Sequence, residues 1–86
     1  MFNILVVEDD KELCGLFCKT LIKNGYNAIP AQNASAALDV LEKEYIDLMI
    51  SDVMMPGMSG FELVKAMRVG RMDMPVLMIT AKGDIN

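Results

Sequence analysis

Three carboxylates and a hydroxyl stand at the ends of short apolar runs in this sequence. Glu8 and Asp9 follow Asn3 to Val7 (NILVV), Asp52 follows Ile46 to Ser51 (IDLMIS), and Thr80 follows Val76 to Ile79 (VLMI). If these runs are parallel strands, their carboxyl ends form one rim, which is where open α/β sheets bind ligands. Carboxylates gathered on one rim repel one another and take up protons or a counterion. Oxygen donors of this kind suit a hard divalent cation, Mg²⁺ above all, which is held by a few carboxylates and completes its shell with water and phosphate oxygens. Such a site can present a phosphoryl donor to one carboxylate acting as nucleophile. Asp52, with the Met54-Met55-Pro56-Gly57 loop after it, is the candidate nucleophile. The Thr80 hydroxyl and the backbone N–H of Ala81 are candidate donors to the transferred phosphoryl oxygens, and a swing of Thr80 toward that group would signal its presence. Singly, each carboxylate has a plainer role: an Asp at a strand end starts a turn or caps a helix, and Asp9 or Asp10 is expected to cap the helix that follows. The coincidence on three strand ends is what favours chemistry.

The apolar runs read as strands because they are short and, in NILVV, rich in β-branched residues, as strands buried on both faces are. Between them apolar residues recur with helical period. Leu13, Cys14, Leu16, Phe17, Cys18, Leu21 and Ile22 do so between Lys11 and the Asn24-Gly25 stop. Ala34, Ala37, Leu38 and Leu41 follow a cap at Asn33 or Ser35. Phe61, Leu63, Val64 and Met67 follow Ser59, which stands in the S-x-x-E capping-box relation to Glu62, and that helix stops near Gly70. At roughly 100° per residue the apolar positions of the first helix span an arc of about 240°. That width predicts neighbours on two sides. Tyr26 to Ala31 makes a weaker second strand whose Pro30 suits a sheet edge. The order βαβαβαβ, with helical crossovers and no hairpin dipeptide, predicts a parallel, doubly wound α/β sheet. No internal repeat or linker divides the 86 residues, so they read as one unit.

Composition narrows the function classes. The 12 acidic residues exceed the 8 basic ones, giving a net charge of −4. Without Glu8, Asp9, Asp10 and Asp52 the charges balance, so the acidity is local. At 53% hydrophobic residues the chain can bury a core, which excludes wholesale disorder. No Lys/Arg-rich run is present, so direct nucleic-acid binding by this segment is not expected. No apolar run approaches the roughly 20 residues of a membrane span, and the N-terminus lacks the marks of a signal peptide; the reading is a cytoplasmic chain with no membrane contact. The sequence has no His, which removes Ser-His and Cys-His catalysis. Cys14 and Cys18 sit at helical rather than C-x-x-C spacing and read as core residues, and the methionines read as packing residues.

Three blocks, ILVVEDD (Ile4 to Asp10), LMISDVMMPGMSGFEL (Leu48 to Leu63) and PVLMITA (Pro75 to Ala81), resemble the receiver domain of bacterial two-component response regulators. The resemblance implies a flavodoxin-like sheet of strand order 2-1-3-4. It implies Asp52 as phosphoacceptor, Thr80 as switch hydroxyl, and Mg²⁺ held by Glu8, Asp9, Asp52 and the backbone carbonyl of Met54. It also implies a sensor histidine kinase as partner, an output that is often transcription, and a protein that takes part in its own phosphorylation and dephosphorylation without being an enzyme. The family pattern continues past a fourth strand into a helix, a fifth strand bearing a lysine, and a last helix. Residues 1–86 therefore read as the N-terminal portion of a receiver, and Lys82 is out of place to supply that lysine. An open strand-four edge and an uncovered helix-one face would favour a homodimer. Two other readings stand beside this one. The first is an inert truncated fragment that only folds or self-associates. The second is a haloacid-dehalogenase-type phosphohydrolase, which requires a second Asp two residues after the nucleophile, where this chain has Met54.

Overall fold

The computed structural model describes residues 1–70 and 72–80. The chain alternates β1 (Asn3–Val7), α1 (Lys11–Lys23), β2 (Asn27–Ala31), α2 (Ala34–Lys43), β3 (Leu48–Asp52), α3 (Gly60–Val69) and β4 (Val76–Ile79). All strand pairs are parallel, in the order β2-β1-β3-β4. The expected fold and strand order are those observed.

Successive side chains of β1 point to opposite faces, and each face has its own core. Leu5 and Val7 join Met49 under α2 and α3, with Ala37, Leu63 and Met67. Ile4 and Val6 join Ile50 on the opposite face, beneath Cys14 and Cys18 of α1. Burial of β1 from both sides explains why NILVV is a continuous apolar run rather than an alternating one. Leu5, Met49, Leu63 and Met67 are wholly buried, and a fully buried side chain of this size contributes about 1.5–3 kcal/mol. β2 lies at the sheet edge, where Pro30, opposite Val6, does not interrupt an inner ladder.

Each helix begins on a side-chain cap. Asp10 Oδ1 accepts from the Leu13 amide at 3.2 Å, so Asp10 rather than Asp9 caps α1. Asn33 Oδ1 accepts from the Ala36 amide at 2.8 Å and caps α2. Ser59 and Glu62 form the full capping box, with Ser59 Oγ accepting from the Glu62 amide at 3.1 Å and Glu62 Oε1 accepting from the Ser59 amide at 2.9 Å. α1 is followed by Gly25 at φ +93°, the left-handed conformation that an L side chain resists.

One expectation needs correction. Ile46 is buried, but β3 itself begins at Leu48; the turn before it is held by Asp47, whose amide donates to the Asn3 carbonyl at 2.9 Å and whose carboxylate accepts from the Asn3 amide at 2.7 Å. Among the described residues the wide apolar arc of α1 is covered on one side, in keeping with the uncovered helix-one face read from the sequence. α1 packs over β2 and β1 through Cys14 and Cys18, while Leu16 and Ile22 stay more than half exposed.

Candidate functional site

The connections reverse direction at β1, which sends α1 to one face and on to β2, then returns through α2 to β3 on its other side. In such sheets the crevice opens beyond the carboxyl ends of the two strands at the reversal, here β1 and β3. Glu8 and Asp9 leave β1 at that point, and Asp52 is the last residue of β3. One carboxylate oxygen from each of the three lies within 4.8 Å of the others. Glu8 and Asp52 are fully buried, and Asp9 is half-buried.

The backbone explains how each is held. β1 continues its pairing one step beyond Val7, since the Glu8 amide donates to the Ala31 carbonyl at 3.0 Å. Glu8 Oε2 then accepts from the Asp10 amide at 2.8 Å, so the residue that caps α1 also orients the first carboxylate. Asp52 Oδ1 accepts from the Met54 amide at 3.3 Å, and the Ser51 hydroxyl donates to the Asp52 carbonyl at 3.1 Å. Beyond Asp52, the Val53 amide donates to the Ile79 carbonyl at 2.8 Å, and the Gly60 amide donates to the Val53 carbonyl at 2.9 Å. The exit of β3 is thus tied to β4 on one side and to the start of α3 on the other.

Two ionised carboxylates at 4.8 Å repel by about 3.5 kcal/mol at an effective dielectric of about 20. Backbone amides aimed at Glu8 and Asp52 offset part of that cost, and a divalent cation among three carboxylate oxygens would offset the rest. The donor set is hard oxygen throughout, which fits Mg²⁺ rather than a soft or nitrogen-preferring metal.

Thr80 follows Ile79, the register partner of Asp52, and so stands at the same rim, exposed. Ala81 lies outside the described residues. Met54 is largely exposed in its side chain while its amide is engaged by Asp52. Gly60, whose residue type carries no chemistry of its own, closes the Asp52-to-Gly60 segment against the Asp52 main chain. The signal for it was its place within the block Leu48 to Leu63 that carries the receiver resemblance. Cys14 and Cys18 are free, buried thiols beneath α1. Burial pushes Cys14 up to about 11, and burial raises Cys18 as well, so both remain protonated packing residues at neutral pH.

A parallel sheet of order 2-1-3-4 with an acidic cluster at the β1/β3 crevice defines the class, and comparison with known proteins agrees. Residues 4–86 match the family model of the response regulator receiver domain. The transcriptional regulatory protein CpxR of Escherichia coli is 43% identical over 83 residues, covering 96% of this chain and 35% of CpxR. The response regulator FleR of Pseudomonas aeruginosa is 41% identical over 84 residues, covering 98% of this chain and 18% of FleR. The response regulator TrrA of Thermotoga maritima, solved in complex with Mg²⁺ and BeF, superposes with a TM-score of 0.87 at 34% identity, covering 94% of this chain and 70% of that one. TrrA solved in complex with the histidine kinase ThkA also matches, with a TM-score of 0.87 at 32% identity over 100% of this chain and 74% of the matched chain. The chain belongs to the response regulator receiver family of two-component systems. It spans about a third or less of the curated relatives' length. Its class is a signalling receiver rather than a turnover enzyme, and the phosphohydrolase alternative falls with that membership. Among the described residues no helix is long and apolar enough to cross a membrane.

Proposed function

We propose that this chain accepts a phosphoryl group on Asp52 from a sensor histidine kinase and passes the change of state to an output, transcription being the output in relatives such as CpxR. The observation that carries this reading is the meeting of three carboxylate oxygens within 4.8 Å at the ends of β1 and β3, one of them belonging to the last residue of β3. In the transfer, a carboxylate oxygen of Asp52 attacks the donor phosphorus, a P–O bond forms, the P–N bond to the donor imidazole breaks, and the departing nitrogen is protonated from solvent. The Met54 amide holds the Asp52 carboxyl in one rotamer for that attack. Glu8, Asp9, Asp52 and the backbone carbonyl of Met54 would hold Mg²⁺. When bound, the cation neutralises the carboxylates and the phosphoryl oxygens that approach them. The hydroxyl of Thr80 and the N–H of Ala81 donate to the phosphoryl oxygens, and Thr80, being exposed, is free to turn inward as the switch.

A kinase partner is supported by the TrrA complex with ThkA, and the cation by the TrrA complex with Mg²⁺ and BeF. On this reading residues 1–86 form the N-terminal portion of one cytoplasmic receiver, which takes part in its own phosphorylation and dephosphorylation. We further propose a homodimer across β4, the outermost strand among the described residues opposite β2, or across the α1 face, where a cavity of about 560 Å³ is lined by Phe2, Ile4, Leu21, Tyr26, Leu48 and Ile50. Sedimentation velocity checks it, and a concentration-independent monomer would refute it.

The main test is intact mass after incubation with a small acyl phosphate. The wild type is expected to gain one phosphoryl group with Mg²⁺ and none with chelator, and Asp52→Asn is expected to gain none. Labelling that persists in folded Asp52→Asn refutes the assignment. A folded wild type that never labels is an inert fragment.

A further inference from the structure

The start of α3 lies so close to the end of β3 that a side chain has no room there. A Cβ built on Gly60 would fall inside the contact distance of the Asp52 main-chain oxygen, 3.2 Å from the Asp52 carbonyl carbon and 2.8 Å from Met78 Cε. The Met78 end is flexible and can move aside. The Asp52 main chain has no such freedom and yields only by carrying the β3 exit with it, because the next peptide is tied through the Val53 amide to Ile79 and through the Val53 carbonyl to Gly60 itself. Conformation is not the reason for glycine at this position. Positive φ is confined to Gly25 and Gly57 among the described glycines, so Gly60 has a backbone that other residues adopt. What Gly60 supplies is space.

We propose that Gly60 is a positioning residue for Asp52: its missing side chain lets the first turn of α3 seat on the Asp52 main chain, and that contact sets where the Asp52 carboxylate meets Glu8 and Asp9. The inference rests on the acidic site proposed above and deepens it. A methyl group at position 60 must push α3 and the β3 exit apart. Glu8 and Asp9 hang from β1 and do not follow, so the carboxylates lose register with one another. A displacement of about an ångström at a reacting group is enough to cost on the order of a hundredfold in rate.

The test uses Gly60→Ala beside Leu63→Val, which loosens the same helix from its buried face, and Gly15→Ala, where a Cβ meets nothing within 4 Å. Two readouts separate the proposal from the function on which it rests. The first is the amide chemical shifts of the metal-free proteins. Gly60→Ala is expected to move Val53 and Met54 more than Leu63→Val does and to leave Glu8 in place. The second is Mg²⁺ affinity and labelling rate, measured well below each variant's melting temperature. Gly60→Ala is expected to lose at least tenfold in both, with less than twofold lost in the two controls. Unmoved Val53 and Met54 amides, or Mg²⁺ affinity no weaker than in Leu63→Val, overturn the proposal. A wild type that binds no Mg²⁺ overturns the proposed function, while the amide shifts still decide the role of Gly60. If Gly60→Ala does not fold, Gly60→Ala/Met78→Ala removes the flexible obstacle and leaves the main-chain one. That double variant is expected to bind Mg²⁺ at least tenfold more weakly than Met78→Ala. Equal binding, or failure of the double variant to fold, overturns the proposal in favour of a purely structural glycine.

Discussion

Asp52→Asn is expected to raise the stability of the metal-free domain and to abolish most of the stability that Mg²⁺ adds. The substitution keeps the shape of the side chain and removes one charge from a buried cluster. Asp52 faces Glu8 and Asp9 with oxygens no more than 4.8 Å apart, and each ionised pair at that separation repels by about 3.5 kcal/mol at an effective dielectric of about 20. Solvent screens the half-buried Asp9, which brings the net effect well below the roughly 7 kcal/mol of two such pairs. The 3.3 Å bond from the Met54 amide also weakens when its acceptor loses charge, a loss of about 1 kcal/mol. A net gain of about 1–3 kcal/mol remains, or roughly 5–20 °C in Tm for a domain of this size. For the wild type, Mg²⁺ at a hundredfold excess over its dissociation constant adds about 2.7 kcal/mol. The assay is thermal and urea unfolding followed by circular dichroism, for both proteins, in chelator and in Mg²⁺. If Asp52→Asn in chelator is no more stable than the wild type, the three carboxylates do not strain the fold. If Mg²⁺ stabilises both proteins alike, it binds elsewhere.

Two other predictions concern the frame around the site. The Cys14 thiol is held up to about 11 from 9.0 by burial, so its contribution is complete below about pH 9 and is lost as pH rises toward 11, where the unfolded chain releases its proton first. The stability advantage of wild type over Cys14→Ala should therefore shrink by at most about 3 kcal/mol between pH 8 and 11, and urea midpoints that keep a constant gap would contradict the burial argument. Ser59→Ala breaks the capping box and should cost about 1 kcal/mol by urea unfolding; a change below a few tenths would mean the box does not hold α3.

Much of the molecule was legible because local rules decide it. NILVV could only be a doubly buried strand once helices flanked it, and Asn33 and Ser59 announce their helices through side-chain oxygens that reach amides three residues on. Pro30 pointed to an edge because it lacks the N–H an inner ladder needs. The arc of α1 marks where local rules stop. Periodicity tells which residues are apolar, but whether Leu16 and Ile22 find a neighbour depends on what else packs there. The choice between Asp9 and Asp10 as cap was also beyond sequence, since it turns on which carboxylate faces the Leu13 amide.

By itself the sequence determined the order of elements, the parallel sheet and the three strand ends that carry acid, because apolar period, caps and turn residues act over a few positions. Tertiary structure alone decided that Glu8, Asp9 and Asp52 share one space within 4.8 Å, since that depends on β1 and β3 becoming neighbours across more than forty residues. It also decided why Gly60 is glycine. The atoms it would strike belong to Asp52 and Met78, which come close only when β3, α3 and β4 have packed.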